Sequence, residues 1–343
     1  MGKNINLLTL RNVVFDPCYQ IVYEWEDEIC KNLGLKIKND YTLKKNNIFL
    51  SIKSLLSSFI NNIFSKNKSE LNVYFEMAPR CIEKIYRGLI KINKNTNNNS
   101  NAVPIIIDFY LKKEQLNDFY RAYNKVKFLI ISSKEAYSFL IENNCPISIL
   151  HLPLSLPDKY KLDLDKYYEK KYNLVLIGHC NPFLVKCLNK YCDYHPDFIY
   201  FYQKTINNSI YYVSNKGEII GQYQSREKYI DLIRSTKIAF YSTPSIDKLD
   251  GYTNGFNQVT PRLFELMAAQ CLILARYSDN DDTRYYNLNK YLTNIDNYTE
   301  FENCLENFLN ATTYPQTEYE NFLSENYTSH RSIKLLSYLN NKY

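Results

Sequence analysis

Between Ile5 and Ala275, short apolar runs alternate with segments whose apolar residues recur every three or four positions, and this alternation stops once and then restarts. Strand and helix in turn can bury their apolar faces together only if the strands form a largely parallel sheet and the helices serve as crossovers. In the first series, strands are expected at Ile5–Leu10, Leu71–Phe75, Val103–Phe109, Phe128–Ile131 and Ile147–Leu150. Helices are expected at Tyr19–Leu33, Ile48–Phe64, Glu114–Lys125 and Ser133–Asn143, the last with Ser132 or Ser133 as N-cap. The second series has strands at Leu174–Ile177, Phe198–Tyr202, Ile238–Tyr241 and Leu272–Ala275, with helices at Phe183–Tyr191, Ser225–Ser235 and from Pro261. Between them, Leu152–Tyr172 carries Pro153 and Pro157 and then the charged run DKYKLDLDKYYEKKY, which reads as a linker.

The expected fold class is therefore α/β, with two Rossmann-like domains facing a cleft. The first spans 1–155, the linker 156–172 and the second 173–315, with C-terminal helices at 316–343 crossing back to the first domain. Ligands in such sheets sit beyond the carboxyl ends of the strands. The polar stretch Lys91–Asn101 is a surface loop, and no short repeat points to a solenoid.

A net charge of +6 without any dense Lys/Arg block argues against a nucleic-acid partner and suits anionic small molecules or an anionic membrane surface. The nine cysteines are odd in number and irregularly spaced, and the opening run INLLTL is too brief for a secretory core. Reduced thiols in a cytoplasmic protein are the expectation. The 33 tyrosines are spread along the whole chain, which reads as compositional bias before carbohydrate recognition.

The stretch TPRLFELMAAQ, Thr260–Gln270, carries the most chemical information. Thr260 suits an N-cap and Pro261 the first helical position. The preceding loop Asp250–Val259 contains Gly251 and Gly255, so backbone amides can approach a ligand at a helix start, where anions bind. Arg262 and Glu265 fall on one helix face, with Leu263, Phe264, Met267 and Ala268 on the buried one. Arginine neutralises phosphate oxygens, and a carboxylate accepts two ribose hydroxyls. A surface ion pair on an ordinary helix is the plain alternative.

In its order of loop, Pro, Arg, Phe-Glu, Ala and apolar strand, this stretch resembles the donor-binding helix of group-1-type glycosyltransferases of the GT-B fold, in their spore-coat and capsule-like branches. REKYIDLIRSTKIAFYSTPS, KYNLVLIGHCNPF and ISSKEAYSFLIENNCPISILHLPLSLP are similar to segments of the same families, so the resemblance spans Val103–Asp279. It implies that a nucleotide-sugar donor binds through Glu265 at the ribose and Arg262 or the helix amides at the diphosphate. Thr260, Gly178, His179, Asn181 and Asn257 would stand nearby. It also implies metal-independent transfer with no cofactor, to a glycan or lipid-linked acceptor in surface polysaccharide synthesis. Two positions depart from the pattern. Many retaining members carry a second Glu where this chain has Asn257, and most carry Gly where it has Gln270. An inverting enzyme would need a base from the first domain, and Asp16, Glu76 and Asp108 lie at or just past expected strand ends.

Other signals rank lower. SDNDD, ending at Asp282, contains Asp-x-Asp, a metal motif of another glycosyltransferase fold, and reads as a solvated acidic turn. His179, Cys180, Cys187, Cys192 and His195 lack a Cys-x-x-Cys knuckle for zinc. The helix Ile48–Phe64 has a Ser/Asn polar face that suits the core, with peripheral contact at the inner face of a membrane as the alternative. Two other classes compete with a transferase: a non-catalytic nucleotide-sugar-binding or scaffold protein, motivated by Asn257 and Gln270, and an epimerase on the same fold.

Overall fold

The computed structural model describes residues 4–12, 14–39, 70–79, 101–178, 180–207, 209–223, 225–247 and 253–342. The expected helix Ile48–Phe64, the loop Lys91–Asn101 and His179 lie wholly or almost wholly outside them.

The first sheet consists of β1 (Asn4–Thr9), β2 (Lys36–Asn39), β3 (Glu70–Glu76), β4 (Ala102–Ile106), β5 (Leu129–Ile131) and β6 (Ile149–His151). All neighbours are parallel, in the order β2-β1-β3-β4-β5-β6. Its central strands are buried on both faces, with Leu7, Val73, Val103, Ile105 and Ile130 on one and Leu8, Tyr74, Ile106 and Ile131 on the other, because helices cover both sides. Those helices are α1 (Gln20–Leu33), α2 (Leu116–Tyr123) and α3 (Lys134–Glu142), the last capped by Ser133, whose hydroxyl accepts the Ala136 N–H.

The second sheet consists of β7 (Tyr172–Leu176), β8 (Phe201–Ile206), β9 (Ser209–Ser214), β10 (Ile219–Gln222), β11 (Thr236–Ser242) and β12 (Leu272–Arg276), in the order β10-β9-β8-β7-β11-β12. The strands β7, β8, β11 and β12 are parallel, whereas β8-β9-β10 is an antiparallel meander. The expected strand Phe198–Tyr202 therefore begins later and runs on into a hairpin entered through Asn207 at φ 50°. Around these strands lie α4 (Pro182–Tyr194), α5 (Arg226–Arg234), α6 (Pro261–Ala268), α7 (Asp281–Tyr285), α8 (Leu288–Tyr291), α9 (Tyr298–Asn310), α10 (Gln316–Leu323) and α11 (Thr328–Lys342).

One apolar core joins the halves. It runs from Trp25 and Ile29 through Leu154 and Leu156 to Val175, Leu263, Tyr327 and Leu339. The segment between the sheets is packed rather than free: Leu152, Leu154, Leu156 and Leu162 are buried. Trp25 donates its indole N–H to the Ser155 carbonyl at 3.0 Å. Leu156 pairs in parallel with the returning chain, its N–H bonded to the Asn326 carbonyl and its carbonyl to the Thr328 N–H, both at 2.9 Å. Further on, Lys170 reaches the carbonyls of Arg234 and Ala269, at the ends of α5 and α6, where a cation suits the helix dipole. The helix α11 then packs on α1, with Asn32 bonded to Ser332 at 3.2 Å.

Candidate functional site

The helix α6 starts with Thr260 in the extended N-cap conformation and Pro261 inside the first turn. The expected hydroxyl cap is not made. Instead the Thr260 N–H donates to the Tyr241 phenol at 3.3 Å, which draws the residue toward the sheet. At the other end, Gln270 adopts φ 58°, Cys271 N–H bonds the Leu266 carbonyl at 3.0 Å and Gln270 N–H bonds that of Met267 at 2.9 Å. This is the left-handed closure that glycine usually serves. The Gln270 amide donates to the Lys166 carbonyl at 2.6 Å, so the departure at this position keeps the helix end intact.

Gly178, just past β7, has φ 62°, and a Cβ built on it would lie 2.2 Å from Nη2 of Arg262. The Arg262 side chain therefore crosses the backbone of the β7 loop at the carboxyl edge of the sheet, and only glycine leaves it room. Burial acts against the Arg262 charge, but Tyr229 and Glu265 outweigh it and hold its pKa above the usual value.

Glu265 is 5% exposed, which rules out a surface ion pair. One carboxylate oxygen meets Arg226 at 2.5 Å and the other accepts the Tyr229 hydroxyl at 2.8 Å. Arg226 also bonds Glu24 of α1 at 3.1 and 3.3 Å, and its guanidinium lies 5.3 Å from the Tyr160 ring. Glu24 further accepts Tyr160 at 2.6 Å and pairs with Lys159 at 2.9 Å. An ionic chain, buried at Glu265 and exposed at Lys159, thus runs from α6 of the second half into the first half. Sequence reasoning missed Arg226, Tyr229 and Glu24, although Arg226 and Tyr229 stand one turn apart at the start of α5.

Two other expected donor-side residues are used to shape loops. Asn181 caps α4, its Oδ1 accepting the Leu184 N–H at 3.1 Å, while its amide donates to Ile246 O and Asp247 at 3.2 and 3.1 Å. Asn257 accepts the Ser245 N–H at 3.0 Å and donates to the Gly255 carbonyl at 2.9 Å. Its own N–H bonds Glu135 of α3 at 2.7 Å. In the same loop, Asn254 donates to the Tyr110 carbonyl, and Phe256 packs edge-on to Phe109 and Phe139. The loop that introduces α6 therefore docks on the segment that follows β4.

That segment carries Asp108. Burial raises its carboxyl to about 7, opposed by a hydrogen bond from Tyr110 at 3.3 Å. Asp16 instead caps a short helical turn, accepting the Cys18 N–H at 3.0 Å, and Glu76 accepts the buried Tyr123 hydroxyl. A carboxylate the sequence reading passed over, Glu26 of α1, is also raised to about 7 by burial, with Thr9 and Arg11 bonded to it. Its helical position gave no sign that it faces the β1 edge.

The acidic turn is only partly solvated. Asp279 pairs with Arg284 at 2.7 Å on the surface. Asp282, by contrast, is 1% exposed and accepts the N–H groups of Lys134 and Val259, one from each half. Burial is the physical reason for that correction: Asp282 sits where the halves meet. Among the described residues, no group of three His, Cys, Asp or Glu side chains is placed to hold a metal ion, and no helix is long and apolar enough to cross a membrane.

No family model matches the sequence, and no curated protein matches it. Among solved structures, sucrose-phosphate synthase from Thermosynechococcus elongatus is similar with a TM-score of 0.54 at 9% identity, over 99% of each chain. A UDP-forming α,α-trehalose-phosphate synthase from Burkholderia xenovorans gives 0.49 at 9%, over 85% of this chain and 78% of that one. A UDP-GlcNAc 2-epimerase from Methanocaldococcus jannaschii gives 0.42 at 10%, over 97% and 99%. At such identities the likeness is one of fold. The fold is GT-B, two Rossmann-like domains each built on a six-stranded sheet.

Proposed function

We propose that this chain is a glycosyltransferase that moves a sugar from a nucleotide-sugar donor to a glycan or lipid-linked acceptor in surface polysaccharide synthesis. The observation that carries it is the pairing of Arg262 over Gly178 with buried Glu265 at the start of α6, within a GT-B fold. In this reading Glu265 accepts the ribose hydroxyls through lone pairs that Arg226 and Tyr229 leave open. Arg262 and the amides of the α6 start meet the charge that grows on the diphosphate as the sugar–oxygen bond breaks. No metal is assigned a role. The work is placed in the cytoplasm, with peripheral contact at the inner face of a membrane where the acceptor is lipid-linked.

Asn257 is spent on its own loop and offers no carboxylate, which favours an inverting over a retaining reaction. Asp108 is then the base. It takes the acceptor hydroxyl proton while that oxygen attacks the anomeric carbon and the diphosphate leaves with the bonding electrons. The same absence of a carboxylate supports a second reading, a non-catalytic nucleotide-sugar-binding protein.

The test is donor hydrolysis. The chain is mixed with UDP-, GDP- and dTDP-sugars and nucleotide release is followed. Release that disappears in Glu265→Ala supports the transferase. Calorimetric binding of a donor without release, across a broad acceptor panel, supports the binding protein. No binding of any nucleotide-sugar sinks both.

A further inference from the structure

Away from α6, two helices bring basic side chains, and a third a tyrosine, to one place on the junction between the halves. At its centre is His151, the last residue of β6 and only 9% exposed. Its Nε2 lies 3.2 Å from the Ser132 carbonyl oxygen, and its own carbonyl accepts the Tyr338 hydroxyl of α11 at 2.8 Å. The ring stands edge-on to Tyr285 of α7 at 4.9 Å and 5.9 Å from Tyr137 of α3. Lys134, at the start of α3, places its ammonium 4.6 Å from the Tyr137 ring, and Lys334 of α11 lies 5.9 Å from that of Tyr338.

The charges that bear on the His151 ring are all positive, while the Asp282 carboxylate is held by the Lys134 and Val259 N–H groups. Burial first, then Lys334, Lys134 and Arg331, press the His151 imidazole down to about 3, so it is neutral at physiological pH. Lys334 is itself held below its usual range by burial, by Arg331 and by Lys134. Arg331 is occupied by the carbonyls of Pro153 and Glu325 and by Asn326. Among the described residues, neither lysine has a carboxylate partner. Two half-buried ammonium groups that repel each other, neither paired through its side chain with a carboxylate among the described residues, cost stability, and an anion would offset that cost.

We propose that Lys134 and Lys334, flanked by Tyr137 and Tyr285, form a binding site for a phosphate-type oxyanion at the meeting point of α3, α7 and α11. The ammonium groups supply charged donors, and the hydroxyls of the flanking tyrosines can supply a second bond. The helix α3 belongs to the first half, α7 to the second, and α11 crosses between them. An anion held there fastens all three and raises stability by mass action. The oxyanion can be free phosphate or the phosphate of a lipid headgroup.

The test follows thermal unfolding of the full chain during a sodium phosphate titration, against sodium chloride of matched ionic strength. A saturable rise in Tm is expected. Lys134→Met and Lys334→Met should each weaken half-saturation by about fivefold or more, the worth of one charge contact. Lys134→Arg and Lys334→Arg keep the charge and should retain the response, which guards against variants that merely fold poorly. Lys186→Met, on the exposed face of α4, should leave it unchanged. Co-sedimentation with phosphatidylcholine vesicles, with and without phosphatidylglycerol, separates the sources. Lysine-dependent capture by the anionic vesicles assigns a headgroup; a phosphate response without such capture assigns the free ion. Absence of both, or a phosphate response that survives Lys134→Met/Lys334→Met, overturns the site.

Discussion

The guanidinium of Arg262 fills the space that a side chain at Gly178 would need, with Nη2 only 2.2 Å from the position of a Cβ there. Gly178→Ala therefore meets two penalties. The left-handed backbone alone costs about 1–2 kcal/mol, and Arg262 must also leave its place. The expected outcome is a lower Tm together with a drop in donor affinity, read by calorimetry below the unfolding range. Gly178→Ala added to Arg262→Ala should weaken binding little further, because the side chain being displaced is already gone. Unchanged donor affinity in Gly178→Ala would separate Arg262 from the diphosphate.

Arg226 holds two carboxylates from opposite halves, Glu265 and Glu24. Arg226→Met strands both, and breaking a buried pair in this way costs about 3–5 kcal/mol. Glu24→Gln should cost less, since Arg226 keeps Glu265. Urea unfolding checks the order. If Arg226→Met proves as stable as the parent, the ionic chain contributes nothing to joining the halves.

For Asp108, stability and activity should run in opposite directions with pH. Its folded carboxyl sits at about 7, raised by burial above the unfolded value. Between the unfolded and folded values, the folded chain keeps a proton that the unfolded chain has lost, so stability falls as pH rises through that window. Asp108→Asn should gain on the parent across it in denaturant titrations. Transfer needs the ionised base, so kcat/KM should climb through about 7. The Asn variant should lose about 10²–10⁴-fold in rate. A flat pH profile of kcat/KM would remove Asp108 from the reaction.

At Gln270 the usual ranking of small residues should invert. The buried side chain donates to Lys166 and sits at φ 58°. Ala loses the hydrogen bond, worth about 1 kcal/mol, and keeps the backbone strain. Gly loses the same bond but recovers about 1–2 kcal/mol of that strain. Gln270→Gly should therefore be more stable than Gln270→Ala in urea unfolding.

Much of the architecture could be read from the chain because its central strands and helices have one dominant requirement, burial. Val103, Ile130, Leu174 and Ile238 sit in strands predicted from apolar runs, and Ser133 caps the helix assigned to it. The strand Lys36–Asn39 is exposed throughout, so it carries no apolar signature. The hairpin from Phe201 to Ser214 was equally hidden, since much of β8 faces solvent. Within the site, Arg262 and Glu265 were legible from local helix geometry. Arg226, Glu24 and Glu26 were not, because their partners lie on other elements. Asp282 looked solvated among its acidic neighbours, and only the approach of the other half buries it.

The paired crossings at Leu156 and Tyr327 set a mechanical limit. A single tether would let the lobes swivel and twist independently. Two crossings joined by a single parallel bridge, with a hydrogen bond on each side of Leu156, resist torsion as a door hung on two pins resists it. Any movement of one half against the other must therefore strain both crossings at once.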